Sequence, residues 1–541
     1  MNKIGRKTQK VFWLLAIFTA LIYLFHFAVH AQKNPLRLDE VDYYQCMENI
    51  IRLGLPIYYA GEIKIEHSRL IYLYTRHLDG KEFIFWRFKP ETGILKETFF
   101  ALVNDASRYT FGMWHPPLYI YLGSLMFRLL SITPEHSHFL RYFNLVFSIG
   151  VFTGMLILSR ELYPTIYRRV FLIAALLYAL NSLAVRGSTL LDYNATLGPF
   201  AALWFVAASL RAERAKSPSW ELVGATAWVL FTGLGIAVSL FLSISIYCLL
   251  RLVLGVRRNL GQIILSTILG IIIFLASFWV FCKILQLPFS QPFLHNVARF
   301  QTSPGTLHSP QRLLTTLWTY LWWYIKEIGV LPAITWICLS LRSIFEGLKP
   351  VYRRFLLPIT IATGLISHAS LGANAYWFPK YILFVLPLLF VFIGGEAALL
   401  ISHNSGLKKA VRKGFVVILV LNSMFISFHW ISHPGSTLYS PGETGLLPIA
   451  RTLRIATSPD EIVLGRKDIG FFARRRFIEW SGRLLSDVTL LQGRIYEAHI
   501  RYAVSPIFLL DPSTDIGAYL QKEFVLENTI GDFALLHRRE R

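Results

Sequence analysis

Long apolar runs separated by short basic breaks repeat along most of this chain. Val11–Ala28, Ile263–Val280 and Tyr381–Leu399 are each long enough, or nearly so, for a helix to cross a hydrocarbon core of about 30 Å. The pattern predicts spans at 11–30, 141–159, 170–185, 194–210, 220–234, 236–252, 261–283, 315–341, 355–370, 381–402 and 414–432. The spans at 220–234 and 236–252 are short, and Gly233 and Gly235 between them predict a tight hairpin or two tilted helices. The breaks carry Lys3/Arg6/Lys7/Lys10, Arg160/Arg168/Arg169, Arg211/Arg214/Lys216, Arg251/Arg257/Arg258, Arg342/Lys349/Arg353/Arg354 and Lys408/Lys409/Arg412/Lys413. Basic loops stay on the cytoplasmic side, so every stretch between two such clusters must hold an even number of spans. About eleven helices satisfy that rule. It places the N-terminus inside, and 31–140, 186–192, 285–312, 370–380 and the tail from 434 outside. The first run ends in Phe25-His26-Phe27, where a signal peptide would need small residues, so it is expected to stay as a helix.

The two large outer segments have patterns of their own. In 31–140, Val41, Tyr44, Met47 and Ile51 recur at helical spacing, and Gly54 and Pro56 end the run. Residues 57–88 alternate as strands do, with Asp79-Gly80 as a turn between Ile71-Tyr72-Leu73 and Phe83-Ile84-Phe85. His115-Pro116-Pro117 opens a further apolar helix, Leu118–Leu130, short for a span and expected at the membrane interface. The tail, 434–541, reads as a small α/β domain. Its expected strands are Glu461–Leu464, Tyr502–Ser505, Phe524–Leu526 and Phe533–His537, with helices near Leu447–Ala456, Leu490–Ile500 and Ile516–Gln521. The fold class expected is an all-α polytopic membrane bundle, residues 1–433, carrying this domain and the large first outer loop.

Composition agrees with the membrane reading: 54% of the residues are hydrophobic. The net charge of +22 does not mark a nucleic-acid surface. Segment 31–140 holds 12 basic and 12 acidic residues and the tail 14 and 13, so the excess lies in the breaks that orient helices. Cys46, Cys248, Cys282 and Cys338 have neither disulfide-framework nor zinc spacing.

Chemistry has few places to reside. Leu38-Asp39-Glu40 follows the first span, where Asp39 either caps the next helix or acts as a general base, and capping would also fix where its carboxylate points. Asp192, outside between two spans, is either a solvated loop charge or a second working carboxylate. His115, Arg141, Arg186, Arg299 and Lys380 are either interfacial anchors or ligands. Arg141 and Lys380 sit at outer ends of spans, against the positive-inside tendency, and would suit a phosphate headgroup. Nucleophile-elbow, P-loop and GxGxxG motifs are absent from the sequence, and the sequon at Asn194-Ala195-Thr196 abuts a span and is taken as chance.

These segments in this order resemble the GT-C class of integral-membrane glycosyltransferases, notably the protein O-mannosyltransferases and the aminoarabinose lipid A transferases. The matching segments are Leu38-Asp39-Glu40, His115-Pro116-Pro117-Leu118, Arg141-Tyr142-Phe143-Asn144, Arg186 through Asp192, and Pro379-Lys380-Tyr381-Ile382-Leu383. The resemblance covers residues 1 to about 430. It implies a polyprenyl-phosphate sugar donor, transfer with inversion to an outer lipid, glycan or protein acceptor, and residence in a membrane, expected to be the bacterial inner one. It implies Asp39 as base with Glu40 beside it. It implies that Asp192 shapes the acceptor site or a site for a divalent metal, and that Arg141 and Lys380, with His115, Arg186 and Tyr381, bind the substrate. Lys380 stands where many relatives carry Arg, which loses a bidentate fork. Segment 57–97 is longer than expected and is a candidate for acceptor choice.

Two rivals stay open on sequence alone. A polymerase or ligase of lipid-diphosphate glycans would be expected to carry its large outer loop late in the chain, whereas here it comes first. A transporter would be expected to place charge near mid-membrane, and Glu396 is the residue that fits.

Overall fold

The chain's apolar periodicity is realised as helices that divide, with two sheets, into two compact units. A computed structural model describes residues 3–33, 35–59, 68–78, 81–90, 100–104, 107–113, 115–130, 132–133, 136–256, 259–285, 287, 289–290, 292–293, 310–345, 348–371, 379–402, 407–432, 444–480 and 487–539. The first unit comprises 1–31, 113–119 and 141–434; the second comprises 32–112, 120–140 and 435–541.

The first unit is helical. Among the described residues, six helices are long and apolar enough to cross a membrane: Gln9–Gln32, His138–Leu162, Tyr193–Ala212, Leu234–Val253, Leu260–Ile284 and Ile382–Ile401. A seventh arises if Tyr167–Leu180 and Ser182–Ser188, bent by 72° at Asn181, form one span. The Asn181 side chain accepts the Ala184 N–H at 2.9 Å, so the second half of the broken pair starts with its own cap. Residues predicted as one span at 315–341 form two helices, Pro310–Ile328 and Val330–Phe345, separated at Gly329, whose φ is +94°. A left-handed residue cannot continue an α-helix, and glycine takes that conformation without strain.

Small residues let these helices approach. Gly394 lies where a Cβ would stand 3.0 Å from the Val170 carbonyl and 3.1 Å from the Ala174 nitrogen, so Leu386–Ser402 meets Tyr167–Leu180 backbone to backbone. Gly150 and Gly154 similarly admit Phe200 and Leu203 of Tyr193–Ala212. Leu234–Val253 is joined to Leu348–Leu371 by hydroxyl pairs, Ser239 with Ser367 at 2.5 Å and Ser243 with Thr363.

The second unit begins with helix Asp39–Leu53, stopped by Gly54 at φ +72°, and contains two five-stranded sheets. The first is antiparallel, ordered β1-β5-β4-β3-β2, from Ile57–Tyr59 (β1), Ser68–Leu78 (β2), Lys81–Pro90 (β3), Phe100–Asn104 (β4) and Ser107–Phe111 (β5). β2 and β3 pair as a hairpin up to Leu78 opposite Lys81; the Asp79-Gly80 turn lies outside the described residues. Helix Leu118–Leu130 has the predicted limits.

The second sheet is ordered β7-β6-β8-β10-β9, from Ile462–Gly465 (β6), Arg476–Glu479 (β7), Tyr502–Pro506 (β8), Phe524–Ile530 (β9) and Phe533–Arg538 (β10). β6 runs parallel to β7 and β8, and β10 antiparallel to β8 and β9. Its side chains alternate between two cores. Val463, Phe477, Val504 and Leu535 pack with Leu446–Ala456 and Ile469, while Leu464, Ile478, Ala503 and Leu536 pack with Leu491, Ile495 and Leu520. The tail is thus a sheet covered by helices on both faces. Sequence reasoning missed β7 and the adjoining helix Lys467–Ala473, because β7 holds two apolar residues directly behind Arg474-Arg475-Arg476 and seven residues are too few to show a helical period.

Candidate functional site

The turn into helix Asp39–Leu53 is strained. Leu38 occupies its N-cap position at φ 42°, ψ −113°, with no side-chain capping bond, so Asp39 is the first helical residue rather than the cap. A non-glycine residue at positive φ costs of order 1–3 kcal/mol and persists only where its surroundings fix it. Here Glu40, fully buried, accepts the Arg37 N–H at 3.1 Å across the turn. The Asp39 side chain remains 40% exposed.

Within this unit, Lys467 reaches the same helix from the tail. Its ammonium donates to Asp42 at 2.6 Å and to Asp39 at 3.4 Å. Burial pushes the Asp42 carboxyl up to about 7, even with Lys467 pulling it down. Burial alone would lower the Lys467 ammonium, but Asp42, Asp39 and Glu479 outweigh that and hold it well above its usual range. Beside it, buried Asp468 accepts from Arg466, with Arg37 4.0 Å away. Neither Asp42 nor Lys467 was singled out in the sequence. The signal available was Asp42's position three residues after Asp39, on the same face of a helix.

In the first unit Asp192 caps helix Tyr193–Ala212. One carboxylate oxygen accepts the Asn194 N–H at 2.8 Å and the other accepts Lys380 Nζ at 2.8 Å, with both side chains buried. Asp192 is therefore not a solvated loop charge. The next residue, Tyr193, shares a short hydrogen bond with His115 Nε2, their rings 4.1 Å apart. Asn144 donates to the Ser188 and Leu190 carbonyls at 3.0 and 2.7 Å and accepts from Tyr119 at 2.9 Å, fixing the bend before Asp192. Arg186 on that bend is buried, with Nε 3.4 Å from the Ser182 carbonyl. Arg141, also buried, donates to the Ala31 carbonyl at 3.4 Å.

The first unit thus brings Asp192, Lys380 and His115 together through Tyr193, and packs the Arg186 helix against the 3-10 segment Pro379–Val385. Asp39 and Glu40 belong to the second unit. The Tyr381 side chain and Arg299 lie outside the described residues. Asn194 is buried, so its sequon is not presented for modification.

A divalent metal at Asp192 does not fit this donor set. Both oxygens already accept, one from an ammonium that a cation would have to displace. Among the described residues no three His, Cys, Asp or Glu side chains converge as ligands.

Glu396 accepts from Arg354 at 3.1 Å and from Tyr163 at 3.2 Å. At the same helix ends as Arg353, Glu213 is met by Arg353, Arg251 and Tyr247, and Glu161 by Arg211 and Arg214. Such pairing is how buried acids are tolerated.

The fold is that of known solved structures. ArnT from Cupriavidus metallidurans in the apo state aligns with a TM-score of 0.55 at 12% identity, covering 98% of each chain. The same protein bound to undecaprenyl phosphate aligns at 0.53 and 11%, covering 97% of each. No family profile and no curated protein sequence matches the chain. The fold implied by the sequence resemblance is the fold observed.

Proposed function

We propose that this protein is a GT-C membrane glycosyltransferase that moves one sugar from a polyprenyl phosphate to an outer acceptor with inversion. The observation that carries the reading is a fold shared end to end with ArnT, one of whose structures holds undecaprenyl phosphate. In this reading the chain crosses the bacterial inner membrane eleven times, with its N-terminus inside and segments 31–140 and 434–541 outside.

The chemistry follows from the partners already described. An acceptor hydroxyl or amine attacks the anomeric carbon on the side away from the phosphate, and Asp39 takes its proton. The bond from that carbon to the phosphate oxygen breaks, and polyprenyl phosphate leaves with the electron pair. Charge gathers on the phosphate, so donors fixed in advance stabilise the departure most. Lys380, Arg141 and Arg186, with His115 and Tyr381, are the proposed phosphate and sugar ligands. For Lys380 this means exchanging Asp192 for the donor's phosphate, one anion for another.

The pairing of Glu396 with Arg354 and Tyr163 favours this reading over a transporter, whose intramembrane acid would need to be available to a cargo ion. The test is release of free polyprenyl phosphate by the purified protein. It is offered a panel of polyprenyl-phosphate sugars and a membrane extract as acceptor, with Asp39→Asn alongside. Wild type releases the lipid and the variant does not; release by neither, with both folded, refutes the reading.

A further inference from the structure

Three carboxylates and a phenol surround one ammonium in the second unit. Lys467 opens helix Lys467–Ala473 of the tail and is 15% exposed. Asp42 binds it at 2.6 Å, Asp39 lies at 3.4 Å, and Glu479 at the end of β7 and Tyr58 in β1 act on it electrostatically. The buried Oδ1 of Asp42 has no hydrogen-bond partner, so its other oxygen relies on Lys467. Asp39 differs in being open to the outside.

We propose that Lys467 is a positioning residue for Asp39, aiming the carboxylate that removes the acceptor proton, so that the tail is a working part of the transfer machinery. The inference rests on the reading of Asp39 as general base. Its force comes from the inequality of the two distances. Asp42, buried, takes the short bond and anchors the ammonium in place. Asp39, 40% exposed, receives the longer contact, which orients its carboxylate without burying it. Arg466 and Asp468 act electrostatically on Glu479, and Arg37 lies 4.0 Å from Asp468. Removing Lys467 takes away the cation that orients Asp39 from the tail.

Lys467 could instead serve only to neutralise Asp42, and paired variants separate the two roles. Lys467→Met with Asp42→Asn deletes the buried charges together and keeps the fold. If Lys467 positions Asp39, this variant releases polyprenyl phosphate at least tenfold more slowly than wild type. The loss falls on kcat with donor and acceptor KM unchanged, as a misaimed base requires and a general loss of fold does not. Lys467→Arg, which retains charge but replaces the compact ammonium with a planar guanidinium, lowers kcat several-fold with acceptor KM unchanged. A wild-type kcat in the double variant, or an unchanged kcat in Lys467→Arg, overturns the inference while an inactive Asp39→Asn protein leaves the base assignment standing. An active Asp39→Asn protein removes both.

Discussion

Replacing Lys380 by Met should destabilise the first unit strongly, and a second substitution should undo most of the damage. Lys380 and Asp192 are 3% and 1% exposed, 2.8 Å apart and 188 residues apart in sequence. Removing one member of such a pair leaves an uncompensated buried charge, at a cost of about 3–5 kcal/mol. In Lys380→Met, buried Asp192 loses the ammonium and keeps its capping bond to Asn194. Asp192→Asn retains an oxygen for that cap but takes the carboxylate charge from the buried ammonium. Asp192→Ala loses the cap as well, about 1 kcal/mol more. The double variant Lys380→Met with Asp192→Asn has neither charge and should fall within about 1 kcal/mol of wild type, so the cycle gives a coupling of at least about 2 kcal/mol. Equilibrium unfolding in mixed micelles of increasing SDS content measures all four proteins. If Lys380→Met unfolds within 1 kcal/mol of wild type, the pair is not the lock between segment Pro379–Val385 and helix Tyr193–Ala212 that its geometry describes.

Arg354→Ala leaves buried Glu396 with Tyr163 and should cost about 2–4 kcal/mol, most of it recovered by adding Glu396→Gln; the same micelle titration reads it. Gly394→Leu drives a side chain into the Val170 and Ala174 backbone and should abolish folded yield, whereas Gly414→Ala, with no atom within 4 Å, should be neutral by size-exclusion profile. Asp42 binds protons more tightly folded than unfolded, so its contribution to stability is full below about pH 4 and falls as pH rises toward 7. Thermal midpoints between pH 4.5 and 7.5 should therefore decline in wild type more steeply than in Asp42→Asn, and parallel slopes would contradict the raised carboxyl.

How much of this was legible in the sequence depends on where the determinants lie. Helix Leu118–Leu130 was readable to the residue because Pro116-Pro117 and an apolar run are local signals. Helix Asp39–Leu53 was readable from its periodicity and the glycine that stops it. By contrast, the bend at Asn181 sits inside a run whose hydropathy gives no sign of it, since one amide capping Ala184 decides the break. The pairing of Lys380 was the least legible. An outward lysine at a span's end carries no sign of Asp192, which only the fold brings across 188 residues to meet it. The reading of Asp39 as a cap failed because Leu38 accepts a costly backbone conformation, which side-chain chemistry does not announce.

That strained leucine also bears on why the acidic pair follows the first span so closely. A relaxed turn would let Asp39 serve as the cap, with its carboxylate turned toward backbone N–H groups. With Leu38 in the cap position and Glu40 closing the turn onto the Arg37 N–H, Asp39 begins the helix with its side chain 40% exposed. Glu40 is then structural, and the division of labour in the pair is testable. Glu40→Gln keeps the hydrogen bond to Arg37 and should retain most activity. Glu40→Ala frees the turn, lets Leu38 relax, and should lower kcat for polyprenyl phosphate release at least tenfold without altering donor KM. Leu38→Gly relieves the strain without moving the turn and should raise thermal stability while sparing activity. An Glu40→Ala protein as active as wild type would mean that the turn does not set the direction of Asp39.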